Sequence, residues 1–408
     1  MPTLHHLVRH IQTYGNEHRG LYLFATCIFF LILFDGIVSY MLPVIITERG
    51  FSTTTMGFII SASSIVGALF DFILSRFIHR VDFRRLFFAM FAVVALYPLF
   101  ILHAYTIGAF LLAMAFWGIY FDLYVFSTFD YVSRYTKKEE HASSFGVVQG
   151  FASLGGLVAP LVAGAAIFKG SSTDLFVAAW VALGISFLCF LALAFYSQET
   201  KVPVIQEAKK KKGMLSELLL WVRIGKILRR PVLLTFCLHL FNAVFWTLGP
   251  LYPHVQTGGL FNALLLVSYG LPVVLTGWLA GPLTKRFGKK RVAFSSLIAG
   301  SLTISSISLF SNPGLIILVS FVASTFIALA WPSISGAYAD YISETPSREE
   351  EIEGVQDFFG NGGYVVGPIA AGFFADVVGI PMTFTIFGIF CACIGAYLSL
   401  GAKQPITV

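Results

Sequence analysis

Twelve long apolar stretches follow one another along most of this 408-residue chain. A helix needs roughly 20 apolar residues to cross the hydrocarbon core of a bilayer, and each stretch is long enough to do so. Hydrophobic residues make up 57% of the sequence, charged residues 12%, and the mean hydropathy is +0.81, values typical of polytopic membrane proteins rather than soluble domains. The predicted spans lie approximately at 20–43, 54–77, 86–105, 108–131, 145–168, 174–196, 232–254, 260–284, 291–310, 314–338, 354–377 and 381–401.

The second half of the chain repeats patterns of the first half. A row of small residues with one proline recurs 208 residues later, in the fifth and eleventh spans: Gly155, Ala159, Pro160 and Gly164 correspond to Gly363, Gly367, Pro368 and Gly372. Such a row permits close helix contact, and the proline bends the helix. Repeats of this size occur in secondary transporters, so we predict an all-α membrane protein of two similar six-helix bundles.

Lys and Arg residues are concentrated on one side of the predicted topology. If the N-terminus is cytoplasmic, all but two of the 27 Lys and Arg residues, Arg49 and Lys169, lie inside. We therefore predict a multi-pass protein of the cell's inner or plasma membrane with both termini cytoplasmic. The net charge of +6 is explained by topology and anionic lipid, without a nucleic-acid partner. The predicted organisation is an interfacial segment (1–19), a first bundle (20–196), a basic linker with an interfacial helix (197–230), a second bundle (231–402) and a tail (403–408).

Two loops in equivalent places carry clusters of basic residues. They read Ser75-Arg-Phe-Ile-His79-Arg80-Val-Asp82-Phe-Arg84-Arg85 after the second span and Gly281-Pro-Leu-Thr-Lys285-Arg286-Phe-Gly288-Lys289-Lys290-Arg291 after the eighth. Both resemble the Gly-x-x-x-Asp-Arg/Lys-x-Gly-x-basic-basic signature of the major facilitator superfamily, with His79 and Lys285 in place of the family's acid. The resemblance implies a fold of two pseudo-symmetric bundles around a central cavity.

The same resemblance implies a latch between the cytoplasmic helix ends. In the family, an acid at the end of the fourth or tenth span meets the basic loop, and the matching acids here are Asp130 and Asp340. We expect Asp130 to meet Arg80 or Arg84, and Asp340 to meet Arg286 or Lys290.

Three carboxylates lie within the predicted spans: Asp35, Asp71 and Asp122. Ionisable groups in a membrane are costly to place and are functional candidates. A carboxyl group among apolar side chains can bind and release a proton in the working pH range as a site alternates between two sides of the membrane. We predict these acids as proton or cation coupling sites, with Asp35 first.

The resemblance also implies that the first, fourth, seventh and tenth spans line the cavity. Asp35 then corresponds to Asn242, 207 residues later. Helical spacing predicts stripes along the cavity faces of these spans. The predicted substrate-cavity residues are Ser39, Gly118, Tyr124, Phe126, His239, Asn242, Trp246, Trp331 and Ser333.

The leading hypothesis is a proton-coupled exporter of a cationic or neutral amphipathic small molecule, because the cavity has acids and aromatics but no fixed base. Proton-coupled uptake of a small nutrient such as a sugar or amino acid uses the same parts, and sodium can replace the proton. A polytopic lipid-processing enzyme is a third reading, but the metal-binding or nucleophilic cluster that it needs is missing from the loops. We expect a monomer that is not an enzyme, with neither cofactor nor metal; the five cysteines lie singly in predicted spans.

Overall fold

The computed structural model describes residues 19–77, 83–136, 140–168, 172–196, 224–226, 228–253, 259–345 and 348–400. Within these ranges the chain is helical, with one long helix for each predicted span. The helices are α1 (Arg19–Glu48), α2 (Thr53–Phe77), α3 (Phe83–His103), α4 (Ile107–Tyr135), α5 (His141–Phe168), α6 (Ser172–Tyr196), α7 (Arg229–Leu248), α8 (Gly259–Phe287), α9 (Lys289–Ser305), α10 (Pro313–Glu344), α11 (Glu349–Val378) and α12 (Ile380–Leu400). The predicted N-terminal segment, most of the linker and the tail lie outside the described residues.

Most of these helices can cross a membrane. By length and composition ten do so among the described residues, and α8 is an eleventh if its two bent segments count as one span. The remaining helix, α11, is less apolar because it contains Asn361 and several glycines. The prediction of an all-helical membrane protein is confirmed.

The helices define two ends of the bundle. We call the end where α1 begins and α12 ends the termini side, and the opposite end, which holds the turn between α1 and α2, the distal side. If the N-terminus is cytoplasmic, as the sequence predicts, the termini side is the cytoplasmic side.

The repeat is visible in the packing of α5 on α1 and of α11 on α7. A Cβ placed on Gly155 would lie 2.5 Å from the carbonyl oxygen of Phe29, and one on Gly363 would lie 2.9 Å from that of Phe236. Phe236 follows Phe29 by 207 residues, so the two glycines meet equivalent backbone atoms. The predicted small-residue rows therefore allow close contact between the first and fifth helices of each half.

One turn further along, the same crossing uses a glycine and an alanine in opposite order. In the first half Gly36 of α1 faces Ala159 of α5, and in the second half Ala243 of α7 faces Gly367 of α11. A Cβ on either glycine would lie 2.5 Å or 2.6 Å from the alanine methyl carbon. Each crossing thus has room for one methyl group.

The halves join along two seams, where α2 packs against α11 and α5 packs against α8. On the first seam, a Cβ on Gly57 would lie 2.0 Å from the carbonyl oxygen of Pro368. The Ser61 hydroxyl donates a hydrogen bond of 2.7 Å to the carbonyl oxygen of Val365. On the second seam, Gly270 approaches the side chain of Leu157.

Arg49, one of the two basic residues predicted on the distal side, has a local structural role. Its guanidinium donates to the carbonyl oxygens of Ile101 and Leu102 at the end of α3, at 3.0 Å and 2.7 Å, and lies over the Tyr105 ring. The Ile101 carbonyl also accepts from the Ala104 backbone nitrogen at 3.3 Å. The last carbonyls of a helix lack the usual partner one turn further on, and a cation is favourable at a helix C-terminus.

Candidate functional site

Asp35 is the centre of a hydrogen-bonded cluster between α1 and α4. Its Oδ1 accepts a hydrogen bond of 2.8 Å from the Trp117 indole nitrogen and a second one from the Tyr120 hydroxyl. Asp35 lies 16 residues from the start of α1, roughly 24 Å along the helix axis, and remains partly exposed. A carboxylate in the middle of a span is therefore held at one oxygen by two neutral donors.

The helices around this cluster offer few basic partners. Lys and Arg occur in α1, α4 and α7 only within a turn of the termini side, and α10 has neither. Hydrogen bonds from neutral groups stabilise a buried carboxylate less than an ion pair with hydrogen bonds does. The chemistry of this cluster is therefore suited to taking up a proton or another cation.

A second polar cluster lies in the other half, between α7, α10 and α11. The His239 ring meets Trp331 edge-to-face, with centroids 4.6 Å apart, and meets Tyr364 in the same way at 5.2 Å. His239 Nδ1 is 2.8 Å from the Thr235 carbonyl oxygen. A carbonyl only accepts, so Nδ1 carries the proton and leaves Nε2 of a neutral ring as an acceptor.

Asn242 joins this second cluster through its amide. Its nitrogen donates a hydrogen bond of 2.6 Å to the Tyr364 hydroxyl, which leaves the amide oxygen available as an acceptor. Asn242, His239 and Tyr364 are all partly exposed. The second half thus offers neutral polar groups and aromatic faces where the first half offers a carboxylate.

On the termini side, Asp130 stabilises the start of α3. One of its oxygens accepts from Arg134 at 2.6 Å, and the other accepts from the Phe83 backbone nitrogen at 2.8 Å. His79 and Arg80, predicted as parts of the latch, lie outside the described residues.

In the second half, Asp340 pairs with the basic loop through Lys289, at 2.6 Å. The prediction named Arg286 or Lys290, but these lie over the rings of Phe287 and Tyr341. Lys289 is on the side of α9 that faces α10, and the next residue points about 100° away. Gly288, between α8 and α9, has a φ of 86°, a backbone conformation that glycine adopts more easily than residues with a side chain. Lys285 and Arg85 are exposed.

The comparisons with known proteins agree with this architecture. The sequence profile of the Major Facilitator Superfamily matches residues 24–260 and 240–405. The chain belongs to the Major Facilitator Superfamily. No curated protein matches it in sequence. Among solved structures, the nucleoside transporter NupG is similar, with a TM-score of 0.74, 14% identity, and coverage of 95% of this chain and 100% of NupG. A bacterial homologue of the human lysosomal transporter Spinster is similar with a TM-score of 0.71, 13% identity, and coverage of 94% and 96%.

As a superfamily member the chain is a membrane transporter. Several of its predicted cavity residues lie on shared, partly exposed helix faces. Asp35 and Ser39 share one face of α1, and His239, Asn242 and Trp246 share one face of α7. On α4, Tyr124 and Phe126 are partly exposed, and on α10 Trp331 contacts His239.

Two predicted cavity residues of this superfamily member are placed elsewhere. Gly118 is buried, and a Cβ on it would lie 2.3 Å from the Ser63 carbonyl oxygen, so it faces α2. Ser333 is fully buried, and its hydroxyl donates to the Leu329 carbonyl oxygen of its own helix. Both assignments were wrong because their spacing does not show which neighbouring helix each face meets.

Of the other two predicted coupling acids, Asp122 has described contacts, and they are separate from those of Asp35. Asp122 lies beside Gly67 of α2, whose Cβ position is 3.4 Å from the carboxylate. Asp71 lies in α2, but its side chain is outside the described part of the structure. The structure therefore joins Asp35 to Trp117 and Tyr120, and Asp122 to the α2–α4 contact.

Tyr364 is a residue of the second cluster that the sequence did not reveal. It directly follows Gly363 of the small-residue row, so the pattern around it indicates packing. It lies four residues after Gly360 and three before Gly367, which both pack against α7, and this helical spacing is the signal that could have identified it.

Proposed function

We propose that this chain is a proton-coupled transporter that works by alternating access and exports a cationic or neutral amphipathic small molecule, with Asp35 as the coupling site. The observation that carries the proposal is the Asp35 carboxylate, partly exposed in mid-span and held by Trp117 and Tyr120. A proton on this carboxylate removes its negative charge and weakens the hydrogen bonds from the two donors. Protonation can therefore be linked to helix movement between α1 and α4.

Export is proposed on the small-residue row of the fifth span, which resembles a pattern of drug exporters in the superfamily. The row recurs in α11, and in both halves it serves helix packing.

Transport in proteoliposomes tests the proposal. Ethidium is the cationic amphipathic probe, and a pH-sensitive dye in the lumen reports proton flux. We expect an inward proton gradient to drive ethidium out of the lumen for the normal chain. We expect Asp35→Asn to lose this proton-driven export while retaining exchange of ethidium down its own gradient. Asp174→Asn, at the distal start of α6, is the matched control. Unchanged coupling in Asp35→Asn would remove Asp35 from the mechanism.

A second candidate is proton-coupled uptake of a neutral nutrient with a ring. It is favoured by the cluster of His239, Asn242, Trp331 and Tyr364, which offers aromatic faces and hydrogen-bonding groups without charge. The similarity in fold to a nucleoside transporter suggests uridine as the probe. Accumulation of uridine driven by an inward proton gradient, without ethidium transport, would favour uptake over export.

A further inference from the structure

Asp376, near the end of α11, binds the start of α2 in the other half. Its Oδ1 accepts from the Thr53 backbone nitrogen at 3.1 Å and the Thr53 hydroxyl at 2.5 Å. Its Oδ2 accepts from the Thr54 backbone nitrogen at 2.8 Å and the Thr54 hydroxyl at 2.6 Å. One carboxylate thus receives four hydrogen bonds from two adjacent residues. We call this group, Thr53, Thr54 and Asp376, the distal clasp.

The clasp uses a site where a carboxylate is favoured. Backbone N–H groups in the first turn of a helix have no partner within the helix, and the helix dipole is positive there. Ser52 already accepts from the Thr55 nitrogen, so α2 has a local cap of its own. Asp376 adds a second cap that comes from the opposite half of the molecule.

The clasp lies at a tight part of the seam between the halves. The Thr53 hydroxyl is also 2.8 Å from the Gly372 carbonyl oxygen, and a Cβ on Gly372 would lie 2.0 Å from the Thr53 carbonyl oxygen. The backbones of α2 and α11 are therefore in direct contact beside the carboxylate.

The termini side is different in the contacts that the structure describes. The ion pairs there, Asp130 with Arg134 and Asp340 with Lys289, each stay within one half. Gly146 and Gly150, on the termini side of α5, have no atom within 4 Å of a Cβ position. The hydrogen bonds described between the halves, from Ser61 to Val365 and from Thr53 and Thr54 to Asp376, thus lie towards the distal side.

The repeat gives the clasp no counterpart on the other seam. The residue 208 positions before Asp376 is Phe168, and the residues 206 positions after Thr53 and Thr54, the offset of the two basic loops, are Gly259 and Leu260. The seam between α5 and α8 therefore lacks both the acid and the hydroxyl at the equivalent places. Because the α5–α8 seam packs without a carboxylate at the equivalent place, helix packing alone does not require Asp376.

We propose that the distal clasp holds the distal side closed and that it must open whenever the cavity opens to that side. This proposal uses the alternating-access part of the proposed function and does not depend on Asp35 or on protons. Separation of α2 from α11 breaks all four hydrogen bonds together, because both oxygens bind adjacent residues of one helix end. Asp376 thus sets how often the distal side opens.

Distances between spin labels test the proposal in the full chain in lipid nanodiscs, with no substrate present. Labels at Ile107→Cys and Ser311→Cys are at exposed distal positions in opposite halves. Cys189 and Cys393 are not buried, so both are replaced by serine in all samples to keep the label off them. The other three cysteines are buried and are retained. We expect Asp376→Asn to raise the population with the longer label distance by roughly three- to tenfold, since bonds to a charged acceptor become weaker bonds to an amide.

A second variant and a control keep the result specific. Thr53→Val with Thr54→Val removes two hydroxyl donors but leaves the carboxylate, and we expect a smaller shift in the same direction. Asp174→Asn makes the same chemical change in the first turn of α6, also at the distal side but in the first half, and should leave the distances unchanged. If neither clasp variant changes the distance distribution, Asp376 is only a helix cap and the proposal is wrong. If the normal chain does not transport ethidium but Asp376→Asn still lengthens the label distance, the proposed function is wrong and the clasp proposal stands.

Discussion

In the first half of the chain Asp35 of α1 is bound by Trp117 and Tyr120 of α4, whereas in the second half Asn242 of α7 is bound by Tyr364 of α11. Asp35 and Asn242 occupy equivalent positions of the repeat, next to the equivalent small residues Gly36 and Ala243. The two halves thus use the same helix crossing to hold different groups against different neighbours. A duplicated scaffold can keep its packing while the polar residues on it diverge.

The last helices of the halves diverge as well. α6 packs mainly along α1, where the Ser186 hydroxyl donates to the Cys27 carbonyl oxygen at 2.8 Å. α12 packs mainly along α9, with Gly388 close to the Ser301 carbonyl oxygen. The first helix of the first half is therefore enclosed by both α5 and α6, which shields the helix that carries the proposed coupling acid.

Exchanging the two central residues tests whether the halves are interchangeable. In Asp35→Asn with Asn242→Asp the carboxylate moves to α7. There the Tyr364 hydroxyl, which accepts from Asn242, can turn its hydrogen to the carboxylate, whereas Asp35 has both an indole and a phenol as donors. Loss of one hydrogen bond to a charged group changes an equilibrium by roughly ten- to hundredfold. We expect proton-driven flux in proteoliposomes to fall by a factor in this range. Normal flux in the exchanged protein would show that the side of the cavity is unimportant.

The glycine and alanine at the central crossing can be exchanged within one half. Gly36→Ala brings a methyl group within 2.5 Å of the Ala159 methyl carbon, so we expect the free energy of unfolding to fall by about 1–3 kcal/mol. Adding Ala159→Gly copies the order found in the second half and should restore most of that loss. Unfolding titrated with SDS measures both changes.

Gly146→Ala is the control for this comparison, because it makes the same substitution in α5 with no neighbour within 4 Å. It should leave stability unchanged or slightly higher, as alanine favours helix more than glycine does. A stability loss in Gly36→Ala that Ala159→Gly fails to relieve would contradict the symmetry of the crossing.

The smallest expected difference lies between the two acids on the termini side. Asp130 accepts from both Arg134 and the Phe83 backbone and its side chain is 15% exposed, whereas the Asp340 side chain is 56% exposed. We expect Asp130→Asn to lower the free energy of unfolding by about 1–2 kcal/mol, as loss of a helix cap does. Asp340→Asn should cost less than about 1 kcal/mol, the usual value of an exposed ion pair. Equal losses in the same SDS titration would mean that the Phe83 contact adds nothing.

Much of the architecture follows from local patterns in the sequence. Apolar stretches of span length predicted all twelve helices, because a bilayer sets a minimum length for each one. The 208-residue repeat predicted that Gly155 and Gly363 have equivalent roles, and both pack against the first helix of their half. Asp35 was singled out as an acid within an apolar helix, a feature that needs no knowledge of its neighbours.

Local sequence patterns thus specify the helices, their pairing into two halves and the residues that carry charge within them. The helix that each polar residue meets depends on packing: Gly118 faces α2, Lys289 rather than Lys290 reaches Asp340, and Asn242 reaches Tyr364. The distal clasp joins residues more than 300 positions apart. Helical periodicity specifies the face on which a side chain lies, but the rotation and neighbours of a helix depend on packing over the whole bundle.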